Sequence, residues 1–425
     1  MSKKMKDSGV DWIGEIPEGW ETKRFKYLYD YANTGEAITK EFWEEDGEVL
    51  LYTAGQNPVR TNYIEFPISR VTTDRDVLVA RNGAGAIQIP EKNSIYTDHV
   101  IRFSTRNLTN RNFIYYCLSL GLEKIVSEQI DVSLKTLSKS DWDQLQLPFP
   151  ATLEEQQAIA NYLDKQTSKF DQAQKLLKDE IERLRAYKKS LIYETVTKGL
   201  DKSVQLKDSG VDWIGEIPEG WEVTKIKFST TLNGRIGWQG LTSSEYQTEG
   251  PYLITGTDFN NGQINFETAV HIENHRWEEA KHIQIKNGDL LITKDGTVGK
   301  VAIVTNLNDK ASLNSGVLKI QPMPEIYTKF LYYVLISEEF WLWFNYTNSG
   351  ASTILHLYQN VFDEFSYAIP LNRRQQKAIV DYLDEKINKI DQIIEIKEQQ
   401  LKKISEQRKT LIYEIVTGKK KINVG

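Results

Sequence analysis

Few residues of this chain have the types and spacing that covalent chemistry needs. Gly296-Thr297-Val298-Gly299-Lys300-Val301 has the glycines and lysine of a phosphate loop, but it lacks the glycine five residues before Gly299 and the hydroxyl residue after the lysine. ATP binding is not expected there. Asn82-Gly83-Ala84-Gly85 is a glycine turn without the third glycine and following helix of a dinucleotide fingerprint. His271-Ile272-Glu273-Asn274-His275, with His282 close by, could hold a metal only if helical, and its glutamate is out of place for the metalloprotease spacing. No Asn-Pro-Pro-Tyr type run is present for base methylation, and scattered carboxylates are too common in an acidic chain to identify a nuclease. The expected protein is non-catalytic, with no metal site and no cofactor of its own.

The elements that carry these residues are duplicated. Lys6–Glu21 and Lys207–Glu222 are both KDSGVDWIGEIPEGWE, letter for letter. A second shared block, Ala158-Ile159, Tyr162-Leu163-Asp164, Asp171 and Leu191-Ile192-Tyr193-Glu194, returns as Ala378-Ile379, Tyr382-Leu383-Asp384, Asp391 and Leu411-Ile412-Tyr413-Glu414. A period of half the chain means two large units, not a stack of small repeats. The expected order is entry segment 1–21, variable segment 22–150, helix 151–200, then 201–222, 223–370 and 371–425 in the same roles.

Composition bounds the class. The 425 residues are 40% hydrophobic and 26% charged, enough for two or more ordinary cores. Neither a membrane span nor a secretory signal is expected. Cys117, the only cysteine, lies in an apolar helical run; a packed thiol in a reducing, cytoplasmic setting follows. The formal net charge of -6 has the wrong sign for a chain that binds nucleic acid alone, although the segment from Arg373 through Lys421 is basic.

The entry segments contain too many breakers for a helix or central strand and should run extended, pinned by Trp12 and Trp20. The first variable segment has strand-like runs at 48–53, 76–80 and 99–103, then a helix near 112–129. The second answers with 289–296, 316–320 and a helix over 328–346. Each ends in proline, at Pro148-Phe149-Pro150 or Ile369-Pro370. Capping-box patterns follow, Thr152 with Glu155 and Asn372 with Gln375, and Gly199 and Gly418 stand where helices close. Two helices of about 40 to 45 residues, roughly 60 to 65 Å long, are expected.

Both helices carry a heptad seam. It runs through Leu383, Ile387, Ile390, Ile394, Lys397, Leu401, Ile404, Arg408, Leu411 and Ile415, and less tidily from Leu163 to Thr195. Burying one seam against the other, antiparallel, places the variable domains at opposite ends of a rod. Gln174, Lys188, Lys397 and Arg408 would set its register. The expected fold class is α+β, with two pseudo-repeated domains separated by a long antiparallel coiled coil.

This layout resembles the specificity (S) subunit of type I restriction-modification systems. Each long helix opens with the family's type of run, Gln156-Gln157-Ala158-Ile159-Ala160-Asn161-Tyr162-Leu163-Asp164 and Gln375-Gln376-Lys377-Ala378-Ile379-Val380-Asp381-Tyr382-Leu383-Asp384. The first copy reads as lacking the residue between glutamine and alanine. Gly288–Lys300 is similar to the family's strand and glycine turn, with Asp76–Gly85 a shortened relative.

The resemblance implies a split double-stranded DNA target, each target recognition domain reading one half. It also implies two methyltransferase (M) subunits and two restriction/translocase (R) subunits as partners, which would carry S-adenosylmethionine, ATP and magnesium. Base edges are best distinguished by Arg, Lys, Asn, Gln, Ser and Thr on glycine-rich loops. In the first domain the expected DNA contacts are Asn57, Arg60, Thr61, Asn62, Arg81, Asn82, Ser133, Lys135 and Thr136. In the second they are Arg235, Trp238, Gln239, Thr257, Asp258, Lys294, Asp295, Thr297, Ser349 and Ser352. The competing reading is a helical scaffold with two protein-binding domains; an autonomous nuclease is more remote.

Overall fold

Two proline- and glycine-free runs become the longest elements of the computed structural model, which describes residues 4–82, 86–128, 136–235, 240–348 and 356–422. Leu153–Lys198 and Arg373–Val416 are continuous α-helices of 46 and 44 residues. Thr152 caps the first, its hydroxyl oxygen accepting the Glu155 N–H at 3.2 Å. Asn372 caps the second one residue earlier, accepting the Arg374 N–H at 2.8 Å. Gly199 and Gly418 close them at φ 70° and 73°, the left-handed conformation that glycine adopts without a Cβ clash.

The chain divides into two compact units. One comprises Met1–Lys178 with Glu398–Gly425, the other Asp179–Lys397. Each unit therefore contains a stretch of both long helices, and these stretches contact each other as in a coiled coil. In the first unit Ile159 and Leu163 share a core with Ile412, Ile415 and Val416. Asp171, further along, meets Arg408 at 3.1 Å. In the second unit Ile192 and Val196 share a core with Ile379, Val380, Leu383 and Ile387. There Lys188 meets Asp391 at 2.7 Å and Glu180 meets Lys397 at 2.6 Å. As numbers rise on one helix they fall on the other, so the pairing is antiparallel. Three of the polar seam residues, Lys188, Lys397 and Arg408, thus sit in ion pairs across it.

The domain of each unit is built on one plan. The entry block forms a small antiparallel hairpin, Met5–Asp7 with Glu15–Pro17 and Leu206–Asp208 with Glu216–Pro218. Ile13, Ile16 and Trp20 are buried in the first, and the Tyr413 hydroxyl donates to the Ile13 carbonyl at 3.0 Å. Tyr193 does the same to Ile214 in the second unit, at 3.2 Å.

A four-stranded antiparallel sheet follows. Its spatial order is Tyr29–Thr34, Val100–Thr105, Asp76–Ala80, Ile87–Gln88 in the first unit and Thr230–Gly234, Val317–Pro322, Leu290–Thr293, Val301–Ile303 in the second. Strands alternate between faces, and here both faces are covered. Val77, Val79 and Phe103 join the core against helix Arg111–Glu128 and the long helices, whereas Leu78 and Val100 join a second core with Leu51, Tyr52 and Tyr96. Leu290, Ile292 and Ile320 divide from Leu291 and Val317 in the same way.

Two expectations change. The run 328–346 is not one helix but two, Thr328–Ile336 and Glu338–Thr347. Ser337 between them is extended at ψ 168°, and its hydroxyl turns back to the Val334 carbonyl at 2.7 Å. The opening of the first long helix also lacks nothing. Gln156 and Gln376 are both 1% exposed; their side-chain oxygens accept from Asn110 N–H at 2.9 Å and Tyr327 N–H at 2.7 Å. Gln156 therefore corresponds to Gln376 and not to Gln375, and the spacing to alanine is the same in both copies.

Candidate nucleic-acid interface

In the first unit the end of strand Asp76–Ala80 meets the start of Val100–Thr105. The Arg81 N–H donates to the His99 carbonyl at 2.8 Å, and the Arg81 carbonyl accepts from Leu137 N–H at 2.6 Å. Asn82 forms an isolated antiparallel bridge with Thr136, and its Nδ2 lies 3.1 Å from His99 Nδ1. Arg81 and Asn82 are half-buried, His99 and Thr136 exposed. Sheet hydrogen bonds thus gather a guanidinium, an amide, an imidazole and a hydroxyl at one end of the sheet, on backbone that cannot shift freely.

The second unit repeats this corner with different side chains. Lys294 N–H donates to Gly316 at 2.8 Å and the Lys294 carbonyl accepts from Leu357 N–H at 2.9 Å. Asp295 Oδ1 lies 2.7 Å from His356 Nδ1. Gly296 at φ 71° turns the chain, leaving Thr297 exposed. Gly256 packs beside this turn: a Cβ there would lie 3.7 Å from the Thr297 hydroxyl and 3.9 Å from the Asp295 carbonyl. Thr257, exposed on the next residue, shares a 2.7 Å hydrogen bond with Thr255.

Arg81, Asn82 and Thr136 are therefore brought together, as are Lys294, Asp295, Thr297 and Thr257. Asn57 is exposed on a loop whose Gly55 and Gln56 carbonyls accept from Gln88. Arg60 and Asn62 are exposed but tied to the 44–48 turn: Arg60 donates to the Gly47 carbonyl at 2.9 Å, and Asn62 engages Glu44 and the Glu48 N–H.

Three expected contacts are spent inside the fold. Thr61 is fully buried and donates to the Phe42 carbonyl at 2.6 Å. Arg235 is 5% exposed and donates to the Leu313 carbonyl and the Ser312 hydroxyl; burial lowers its pKa. Asp258 is 1% exposed and accepts from Thr255 and Thr268. No base edge can reach these side chains without undoing hydrogen bonds of the core. Ser133, Lys135, Trp238, Gln239, Ser349 and Ser352 lie outside the described residues.

His99 and His356 escaped sequence reasoning. For His99 the only signal was positional, at the edge of the apolar run that pairs with strand Asp76–Ala80; for His356 the sequence carried none. The remaining histidines are dispersed, His271 beside the Gly250 carbonyl, His275 beside Glu273 and His282 beside the Gly234 carbonyl. Among the described residues no group of side chains is arranged to hold a metal, and no helix is long and apolar enough to cross a membrane.

Residues 17–183 and 218–406 each match the model of the type I restriction modification DNA specificity domain. The chain belongs to the type I specificity-subunit family. The two matches coincide with the two copies of the plan described above, and the chain is the DNA specificity subunit, non-catalytic, of a type I restriction-modification system. Among relatives, it is 24% identical over 420 residues to the MjaVIII specificity subunit of Methanocaldococcus jannaschii, covering 95% of this chain and 93% of the relative. It is 26% identical over 451 residues to the putative MjaX specificity subunit of that organism, covering 96% and 95%. A chain from a structure of type I R-M complex assembly and conformational transition shares the fold, with TM-score 0.69 at 15% identity, over 94% of this specificity subunit and 98% of that chain.

Proposed function

We propose that each target recognition domain, residues 22–150 and 223–370, reads one half of an asymmetric, bipartite double-stranded DNA target. The entry segments 1–21 and 201–222 brace the domains, and the helical segments 151–200 and 371–425 set half-site spacing and dock two methyltransferase subunits. Two restriction/translocase subunits complete the assembly. S-adenosylmethionine, ATP and magnesium reside on those partners, in the cytoplasm.

The observation that carries this reading is the pair of corners. Their backbone hydrogen bonds are the same, while Arg81, Asn82 and Thr136 in one are answered by Lys294, Asp295 and His356 in the other. Arginine and asparagine suit the edges of guanine and adenine; an aspartate accepts from the amino group of cytosine. Unlike side chains on like frames read unlike half-sites, so the target is asymmetric. Partner subunits supply much of the phosphate contact that an acidic chain lacks.

The test is to co-express the chain with its methyltransferase subunit and map methylated adenines genome-wide. The expected motif is split, asymmetric and of constant spacing. Asn82→Ala should relax one half-site and Asp295→Ala the other, each by about 1–3 kcal/mol of discrimination. A single variant that alters both halves would refute the modular reading.

A further inference from the structure

A second pair of equivalent surfaces lies at the opposite end of each central sheet. Arg24-Phe25-Lys26-Tyr27 and Lys225-Ile226-Lys227-Phe228 occupy the same turn in the two units: Phe25 N–H donates to the Leu145 carbonyl at 2.9 Å, and Ile226 N–H to Phe365 at 3.0 Å. Phe25 and Ile226 are fully buried and anchor the turn. Tyr27 and Phe228, two residues on, are 56% and 70% exposed. Lys26 Nζ stands 4.9 Å from the Tyr27 ring centre, and Lys227 Nζ 5.1 Å from that of Phe228. In the second unit Glu364 meets both Lys225 and Lys227, at 2.7 and 2.5 Å.

Single exposed aromatics are ordinary. Here the same cation, apolar anchor, cation, aromatic order is kept in two copies whose reading corners differ in every side chain. A feature common to both domains cannot distinguish half-sites. Nor is it placed to do so. Register pairs Tyr29 with Thr105 and Thr230 with Pro322 at this end, whereas Ile101 and Thr34, or Leu318 and Gly234, pair at the corner end. Strands of this length put roughly 15–20 Å between the two ends. A duplex engaged at the corner leaves the turn open to a protein, and an aromatic flanked by cations suits an apolar pocket rimmed by carboxylates.

We infer that the Lys26–Tyr27 and Lys227–Phe228 turns are equivalent docking points that extend the seat on the helices onto the domains, each adding its contacts to one methyltransferase subunit. This rests on the functional reading above, since two like surfaces are what two copies of one partner require. The test titrates the full chain with the separately purified methyltransferase subunit of its host and counts bound subunits. Wild type should bind two. Tyr27→Ala should weaken one site about tenfold or more, Phe228→Ala the other, and the double variant both. Lys26→Glu and Lys227→Glu should do the same, with an effect that fades at high salt. Exposed side chains at these positions leave thermal unfolding unchanged, and Tyr27→Phe should bind as wild type.

A double variant that binds two subunits with unaltered affinity overturns the inference. So does a variant that keeps both subunits but loses affinity for duplex in the assembled complex, which would make the turn a DNA contact. Wild type that binds no methyltransferase subunit would sink the functional reading and this surface with it.

Discussion

The two units differ least where they are buried deepest and most where the central sheet opens to solvent. Gln156 and Gln376 bridge helix to domain with the same acceptor oxygen, and the Tyr116 and Tyr333 hydroxyls reach Asp164 and Asp384 at 2.7 and 2.5 Å. Asp171–Arg408 and Lys188–Asp391 are one ion pair with the helices exchanged. Against this sameness stand Arg81–Asn82 and Lys294–Asp295, held by the same backbone bonds. A frame whose buried polar groups bridge helix to domain tolerates little change, since losing one partner strands the other; a corner whose backbone is satisfied by the sheet leaves its side chains free to diverge.

The largest effect should come from replacing residues 223–370 with another recognition domain. One half-site should be exchanged outright and the old one lost by about a thousandfold or more, with the other untouched, as read by methylation mapping. A change in both would mean that the units are not independent readers.

The shared frame can be broken unequally. Gln376 also donates to the Pro370 and Glu325 carbonyls at 3.1 and 3.2 Å, whereas Gln156 adds only Pro150 at 3.5 Å. Gln376→Ala should cost about 3 kcal/mol in denaturant unfolding and Gln156→Ala about 1–2, since the first leaves more buried groups without partners.

The units also differ in how they bury a carboxylate. Asp76 in the first lies 3.7 Å from the guanidinium of equally buried Arg102. Glu339 in the second is fully buried and, among the described residues, accepts only from Ala368 N–H; desolvation holds its carboxyl well above the usual range. A raised folded pKa stabilises below the unfolded pKa, and that stabilisation is lost as pH rises. Glu339→Gln should therefore match wild type near pH 4 and exceed it by on the order of 1 kcal/mol at pH 7. A gain equal at both pH values would mean that packing, not charge, is responsible.

The smallest effect belongs to the exchanged ion pairs. All four side chains are 29–57% exposed, so Asp171→Asn and Asp391→Asn should each cost about 0.5 kcal/mol or less, and less again at high salt. Unequal costs would show that the two halves of the coiled coil are not equivalent.

Much of this was legible before any coordinates. Identical entry blocks announced the duplication, and capping residues, closing glycines and heptad spacing marked both long helices to within a few residues. The break at Ser337 was not legible, because 328–346 has helical periodicity on either side of it and only the hydroxyl turned onto the Val334 carbonyl interrupts the run. The register of Gln156 was missed for a similar reason: two adjacent glutamines look alike until one of them is buried.

Local pattern by itself determined the two-copy plan, the long helices, their seams and the glycine turns, because capping, periodicity and backbone sterics act within a few residues along the chain. Only the tertiary structure decided which side chains of those turns remain available. Thr61, Arg235 and Asp258 have the chemistry of base readers, yet each is buried and spends its hydrogen bonds within the fold; His99 and His356 look unremarkable in sequence, yet folding sets them beside Asn82 and Asp295. Whether a polar group faces solvent or the core depends on what packs over it, and that is supplied by residues far along the chain.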